Sequence, residues 1–234
     1  MTRQIITPPH VEAPGSTRCG PSIILMILKH FLPEKEWTFD DADRICGYIE
    51  GKWTWSTACI PAMIELGFEA INFSTFDNNA FIENPEQYLV QQFGPEKAKI
   101  NIDKCDIPMI VDILKTAKGS PYETTVSRNW QWDDVDRLLS AGYLLFTWVN
   151  SRALLCRQDE SFSGHFVLVY GYNPEKKYVL YHDAGGEMDS IDEGKHERNR
   201  FKGACFGIDH FMNAAKDENG DGGLTLIAFR LREQ

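Results

Sequence analysis

No apolar run in these 234 residues approaches the ~18 needed to cross a bilayer, so no membrane-spanning helix is expected. The opening MTRQIITPPHVEAPG lacks the apolar centre of a secretory signal. The cytoplasm is therefore the expected compartment, and the sequon at Asn72 is expected to carry no sugar. None of the six cysteines (Cys19, Cys46, Cys59, Cys105, Cys156, Cys205) falls in a C-x-x-C pair. That speaks against a zinc ribbon or a thioredoxin-type centre and suits reduced thiols. Positive charge is scarce: 24 Lys and Arg against 34 Asp and Glu leave a net charge of −10. A nucleic-acid surface needs clustered cations. The single basic run, KHERNRFK from Lys195 to Lys202, reads as a solvated loop. A phosphate-cradling G-x-x-x-x-G-K loop is also missing.

What is present is the composition of a packed protein, 12% aromatic and 25% charged, read here as one domain over 1–234. Residues 1–17, rich in Pro, Gly and Thr, read as an extended arm. A helix is expected from about Pro21 to Phe31, with proline in the first turn. Thr38 or Asp40 is a plausible cap for a second helix. TWSTACIPAMIELGFEAINF reads as a helix ended by Gly67 and a strand from Phe68. NPEQYLVQQFG, IPMIVDILKTAKG and QWDDVDRLLSAG are further helices. After Gly142 come YLLFTWVN, HFVLVYGY, KYVLYHDA and GLTLIAFRL, short runs rich in β-branched and aromatic residues. The expected architecture is α+β, with N-terminal helices packed on one side of a C-terminal antiparallel sheet.

The chemistry-bearing residues lie at both ends of that layout. Cys19 stands before Gly20-Pro21, where a helix should begin, and unpaired N–H groups there favour a thiolate. Gly20 would let a substrate backbone approach. Taken alone, a free cysteine in such a place is more often simply buried. His165 opens one expected strand and Asp183 closes the next, so antiparallel pairing brings them together. Cysteine, histidine and carboxylate in that relation form a nucleophile, a base and an orienting group.

CGPSIILMIL, TWSTACIPAMIELGF, WDDVDRLLSAGYLLFTWVNS and GHFVLVYGYN, in this order, resemble the papain-like fold of the C39-like cysteine peptidase group. VNSRALLC and FMNAAKDENGDGGLTLIAF bring the chain nearest, within that group, to the guanylyl-cyclase-domain-containing family, from about Ile6 to Phe229. The resemblance implies a Cys19–His165–Asp183 triad acting on a peptide, a protein or a small amide or acyl substrate, with no cofactor and no metal. It also implies an oxyanion-binding glutamine about six residues before the cysteine, where this sequence has Ala13. Three functions are thus in play: a cysteine-dependent hydrolase or acyltransferase, a non-catalytic binding protein on the same fold, and the cyclase of the family's name. Cyclisation calls on carboxylate-held metal ions and triphosphate-binding cations, which the sequence does not cluster.

Other motifs have plainer readings. DENGDG at Asp217–Gly222 begins like a calcium loop, but Ala228 stands where the bidentate glutamate belongs, so a turn is expected. His182 beside Asp183 should point to the opposite face of its strand. Trp53/Trp55 and Trp130/Trp132 are expected mostly in the core. Residues 77–129 exceed a minimal papain-like core and suggest a helical insertion, or a lid over the cleft.

Overall fold

The apolar run behind Cys19-Gly20-Pro21 makes the first helix, α1, over Cys19–Phe31, with every residue from Gly20 to Leu28 buried. It starts earlier than the expected Pro21, which places Cys19 inside the first turn. Proline is tolerated there because first-turn N–H groups have no intrahelical acceptor. Thr38 caps the second helix, α2 (Phe39–Cys46), through a reciprocal box: its hydroxyl accepts from Asp41 N–H, and the Asp41 carboxylate accepts from Thr38 N–H.

The computed structural model describes residues 7–117, 119–154, 163–173, 175, 177–185, 204–216 and 225–233. The basic run at 195–202, the turn at 217–222 and Cys156 lie outside them. After α2 come a 3-10 turn (Ser56–Cys59), α3 (Ile60–Glu65), β1 (Phe68–Phe73), α4 (Asn78–Glu83), α5 (Pro85–Phe93), α6 (Pro95–Lys104) and α7 (Ile107–Ala117). Then follow β2 (Glu123–Val126), α8 (Trp132–Ser140), β3 (Leu144–Asn150), α9 (Ser151–Leu154), β4 (Gly164–Asn173) and β5 (Tyr178–Asp183). β6 (Ala204–Gly207), α10 (Ile208–Ala215) and β7 (Leu226–Leu231) complete the described elements. Among the described residues no helix is long and apolar enough to cross a membrane.

The protein is mixed α/β, and the expected layout needs two corrections. The strands form a single sheet in the order β2-β1-β7-β3-β4-β5-β6, and it is mixed: β1 pairs with β2 in parallel, while the other pairs are antiparallel. Two of its strands thus precede the run of strands after Gly142. β2, ETTV, carries no apolar alternation because it is an edge strand with half-exposed or exposed side chains.

The second correction is that helices cover both faces. Along β3, Leu144 and Phe146 join a core with α1, α2 and α3, whereas Leu145 and Val149 join another with α8 and α10. β4 divides in the same way, with Phe166, Leu168 and Tyr170 on one side and Val167 and Val169 on the other. Burial on two faces explains why these strands read as continuous apolar runs rather than alternating ones.

The helices α4 to α7 connect β1 to β2. A parallel pair requires a crossover of a dozen or more residues, and this segment provides it with its own small core around Phe81, Leu89, Ile110 and Leu114. Asn72 is 1% exposed inside β1, so the sequon offers no acceptor on the folded surface.

Candidate active site

Arg18 precedes α1 without capping it through its side chain. Its guanidinium instead meets Asp43 of α2 at 3.1 Å and lies 4.9 Å from the centre of the Tyr48 ring. The turn is thus anchored to α2, and Cys19 is carried in the first turn, half-buried. The space beside Gly20 is already filled. A Cβ there would fall 2.8 Å from Thr54 Oγ1, so this glycine admits a neighbouring loop of the protein rather than a substrate backbone.

His165 and Asp183 are brought together as strand geometry predicts. Val167 of β4 stands opposite Asp183 of β5, and His165 lies one step further along the same face. Its Nε2 reaches Asp183 Oδ1 at 2.6 Å. The same oxygen accepts the Gly185 N–H at 2.7 Å, so the carboxylate is gripped from two directions. With Nε2 engaged, Nδ1 is the ring nitrogen left for the sulfur, and Cys19 and His165 lie close enough to shift each other's ionisation. The three sequence-identified residues therefore meet at one place, contributed by α1, β4 and the end of β5.

The charges at this site reinforce one another. Burial works against ionisation of Cys19, but the hydrogen bond and positive charge of His165, with hydrogen bonds from the Phe166 and Gly20 backbone, bring its pKa below the ordinary 9.0. Burial likewise opposes the imidazolium, yet Asp183 and Cys19 together raise the His165 pKa to about 10. These shifts both favour a thiolate–imidazolium pair. Three other cysteines differ: burial pushes Cys46 and Cys59 well above the usual thiol range and Cys105 up to about 11.

The residue in the expected glutamine's place is committed elsewhere. Ala13 is 4% exposed, and its N–H bonds to Ala184 O at 2.9 Å, beside Asp183. His182 faces away from the triad into the core, as alternation requires. Its Nε2 donates to Pro8 O at 2.8 Å, and its ring lies 4.6 Å from that of Tyr170. Trp130 is buried, Trp55 stacks on Phe81 and Trp132 meets Tyr172 edge-on, while Trp53 is exposed.

Three contributors were not singled out by sequence: Trp148, Gly164 and Gly185. The Trp148 indole covers Gly164 so closely that a Cβ would fall 1.8 Å from a ring carbon, which fixes the wall next to His165. A Cβ on Gly185 would sit 3.0 Å from Asp183 Oδ1. The Gly-His and Asp-Ala-Gly-Gly strings were visible, but which ring lies over which glycine depends on strand pairing. Among the described residues no group of three or more His, Cys, Asp or Glu side chains could hold a metal ion. No family model matches this sequence, and no curated protein matches it.

Proposed function

We propose that the protein is a cysteine-dependent hydrolase or acyltransferase of C39-like, papain-like type, acting on an amide or related acyl bond. The observation that carries this reading is the linked set itself: a thiol in the first turn of α1 whose ionisation is favoured by His165, which is held by Asp183 at 2.6 Å. In the reaction the Cys19 thiolate attacks the acyl carbon, and the His165 imidazolium gives its proton to the leaving amine or alcohol. Water or an acceptor nucleophile then gives a proton to His165 and displaces the thiolate from the thioester. The Cys19 N–H, in the first turn, is one donor for the oxyanion.

Labelling with iodoacetamide near neutral pH tests this. Cys19 is expected to react stoichiometrically and faster than the other five cysteines. Equally slow labelling of all six would sink the proposal. The position of Ala13 favours a second reading, a binding protein that keeps the cleft without efficient turnover, because loss of one oxyanion donor costs ~10²–10³ in rate. A Cys19→Ala variant that keeps full biological effect would select that reading.

A further inference from the structure

Residues 8–13 cross the end of β5 and are tied to three consecutive residues there. Pro8 O accepts from His182 Nε2 at 2.8 Å, His10 Nε2 donates to Asp183 O at 2.9 Å, and Ala13 N–H donates to Ala184 O at 2.9 Å. The register of β6 against β5 runs from Tyr178 to Tyr181, so the strap takes hold just past it. Two features make the strap stiff. Thr7-Pro8-Pro9 has restricted φ at both prolines, and Pro8 is buried. The His10 ring also meets the His182 ring edge-on, with centroids 5.3 Å apart.

We propose that His10 is a positioning residue for Asp183, and that the 8–13 strap is the device that aims this carboxylate at His165. The proposal rests on the catalytic reading of Cys19, His165 and Asp183. Asp183 sits at the last position of β5, where a strand would otherwise fray, and its side chain must keep a 2.6 Å contact with a ring on β4. Rotation of the 184–185 peptide plane would swing the Gly185 N–H that grips the carboxylate together with the Ala184 carbonyl, and rotation of the 183–184 plane before it would swing the Asp183 carbonyl. His10 fixes that carbonyl, and Ala13 fixes the next one. A carbonyl only accepts, so His10 carries its proton on Nε2; neutral and protonated imidazole both supply that donor, and the clamp holds across pH. Ala13 thereby has a role in this site different from the oxyanion glutamine whose place it takes.

The test is the pH dependence of Cys19 alkylation in the full chain, read by mass spectrometry of the Cys19 peptide for wild type, His10→Ala and His10→Gln. Loss of the clamp is expected to move the acid limb of the His10→Ala profile upward by about one pH unit, which is about tenfold in rate on that limb. His10→Gln, whose amide N–H can reach the same carbonyl, should return the profile to that of wild type. Should His10→Ala fail to fold, His10→Phe fills the site without a donor and is compared with His10→Gln instead. A donor-less variant whose profile superimposes on wild type overturns the proposal. So does an equal loss at every pH that glutamine does not rescue. If wild-type Cys19 reacts no faster than the other cysteines, the catalytic reading itself fails; if it reacts fast and His10 has no influence, only the strap's role fails.

Discussion

Asp183 holds His165 by charge as well as by shape, and Asp183→Asn separates the two. The amide preserves the side-chain outline while removing the anion that, with Cys19, raises the imidazole pKa to about 10. His165 should fall toward its ordinary 6.5, and the Cys19 thiolate should lose its counter-charge. Alkylation of Cys19 near pH 7 is then expected to slow by about tenfold or more, because each unit of rise in the thiol pKa removes about a decade of thiolate below it. An unchanged pH–rate profile would show that the carboxylate charge has no part in activating the thiol. Gly164→Ala is the complementary steric experiment. A Cβ at 1.8 Å from the Trp148 indole cannot be accommodated without moving that ring or β4. A loss of about 1–3 kcal/mol in urea unfolding is expected, as for overpacking elsewhere.

The same ion pair makes stability depend on pH. His165 is raised in the folded state, so its contribution is fully present below 6.5 and disappears as pH rises through about 10. Cys19 is lowered, so its contribution is present above 9.0 and disappears as pH falls through its folded value. Because Cys19 titrates in the opposite sense, the His165 dependence is read in a Cys19→Ala background, which should lose stability relative to the Cys19→Ala/His165→Ala double variant as pH rises above about 6.5, measured as urea midpoints. Parallel curves for the two proteins would contradict a charged His165 in the folded state.

At the scale of elements, α8 shows how local sequence sets a helix start. Asp134 Oδ2 accepts from Gln131 N–H at 2.9 Å, and its two oxygens take both Arg128 Nη atoms at 2.8 Å. The Arg128 hydrogen bonds hold Asp134 below the usual carboxylate range, against the opposing effect of burial. A lowered carboxylate stabilises above its unfolded value and stops doing so as pH falls through the folded one. Asp134→Asn should cost about 1 kcal/mol at pH 7, after allowance for the half-exposed arginine, and nothing once Asp134 is protonated in wild type. Equal urea midpoints for the two proteins at pH 7 would remove the cap from the account.

Elements of this kind were legible in the sequence because their signals are local. Thr38 announced α2, Gly67 separated α3 from β1, and the apolar runs after Gly142 became β3, β4 and β5. His165 and Asp183 were legible as a pair because a short turn between antiparallel strands leaves little freedom of register. The parallel β2 was not, since a polar edge strand is fixed by its partner rather than its own residues. The strap was hidden for the same reason: His10 and Asp183 are 173 residues apart, and nothing local in TPPH names the end of β5.

For the whole molecule, the decisive placement is that of β7, which lies between β1 and β3 although it is the last described strand in the chain. Its Ile227 and Phe229 enter the core with α1, its Leu226 and Ala228 enter the core with α8 and α10, and all four are at most 1% exposed. Leaving it out would split the sheet into two parts with facing bare edges and open both cores at once. Burying a large apolar side chain is worth about 1.5–3 kcal/mol, and whole domains have about 5–15 kcal/mol to lose. A protein ending at residue 224 should therefore lack a cooperative urea transition and near-ultraviolet dichroism, whereas Phe229→Ala alone should fold and lose about 3–5 kcal/mol. The Cys19 thiol depends on the same closure, because α1 packs on β4 and β7 together. In the truncated chain its alkylation should fall to the rate of the other cysteines; fast, selective labelling there would mean that α1, β4 and β5 form the site without the sheet that joins them.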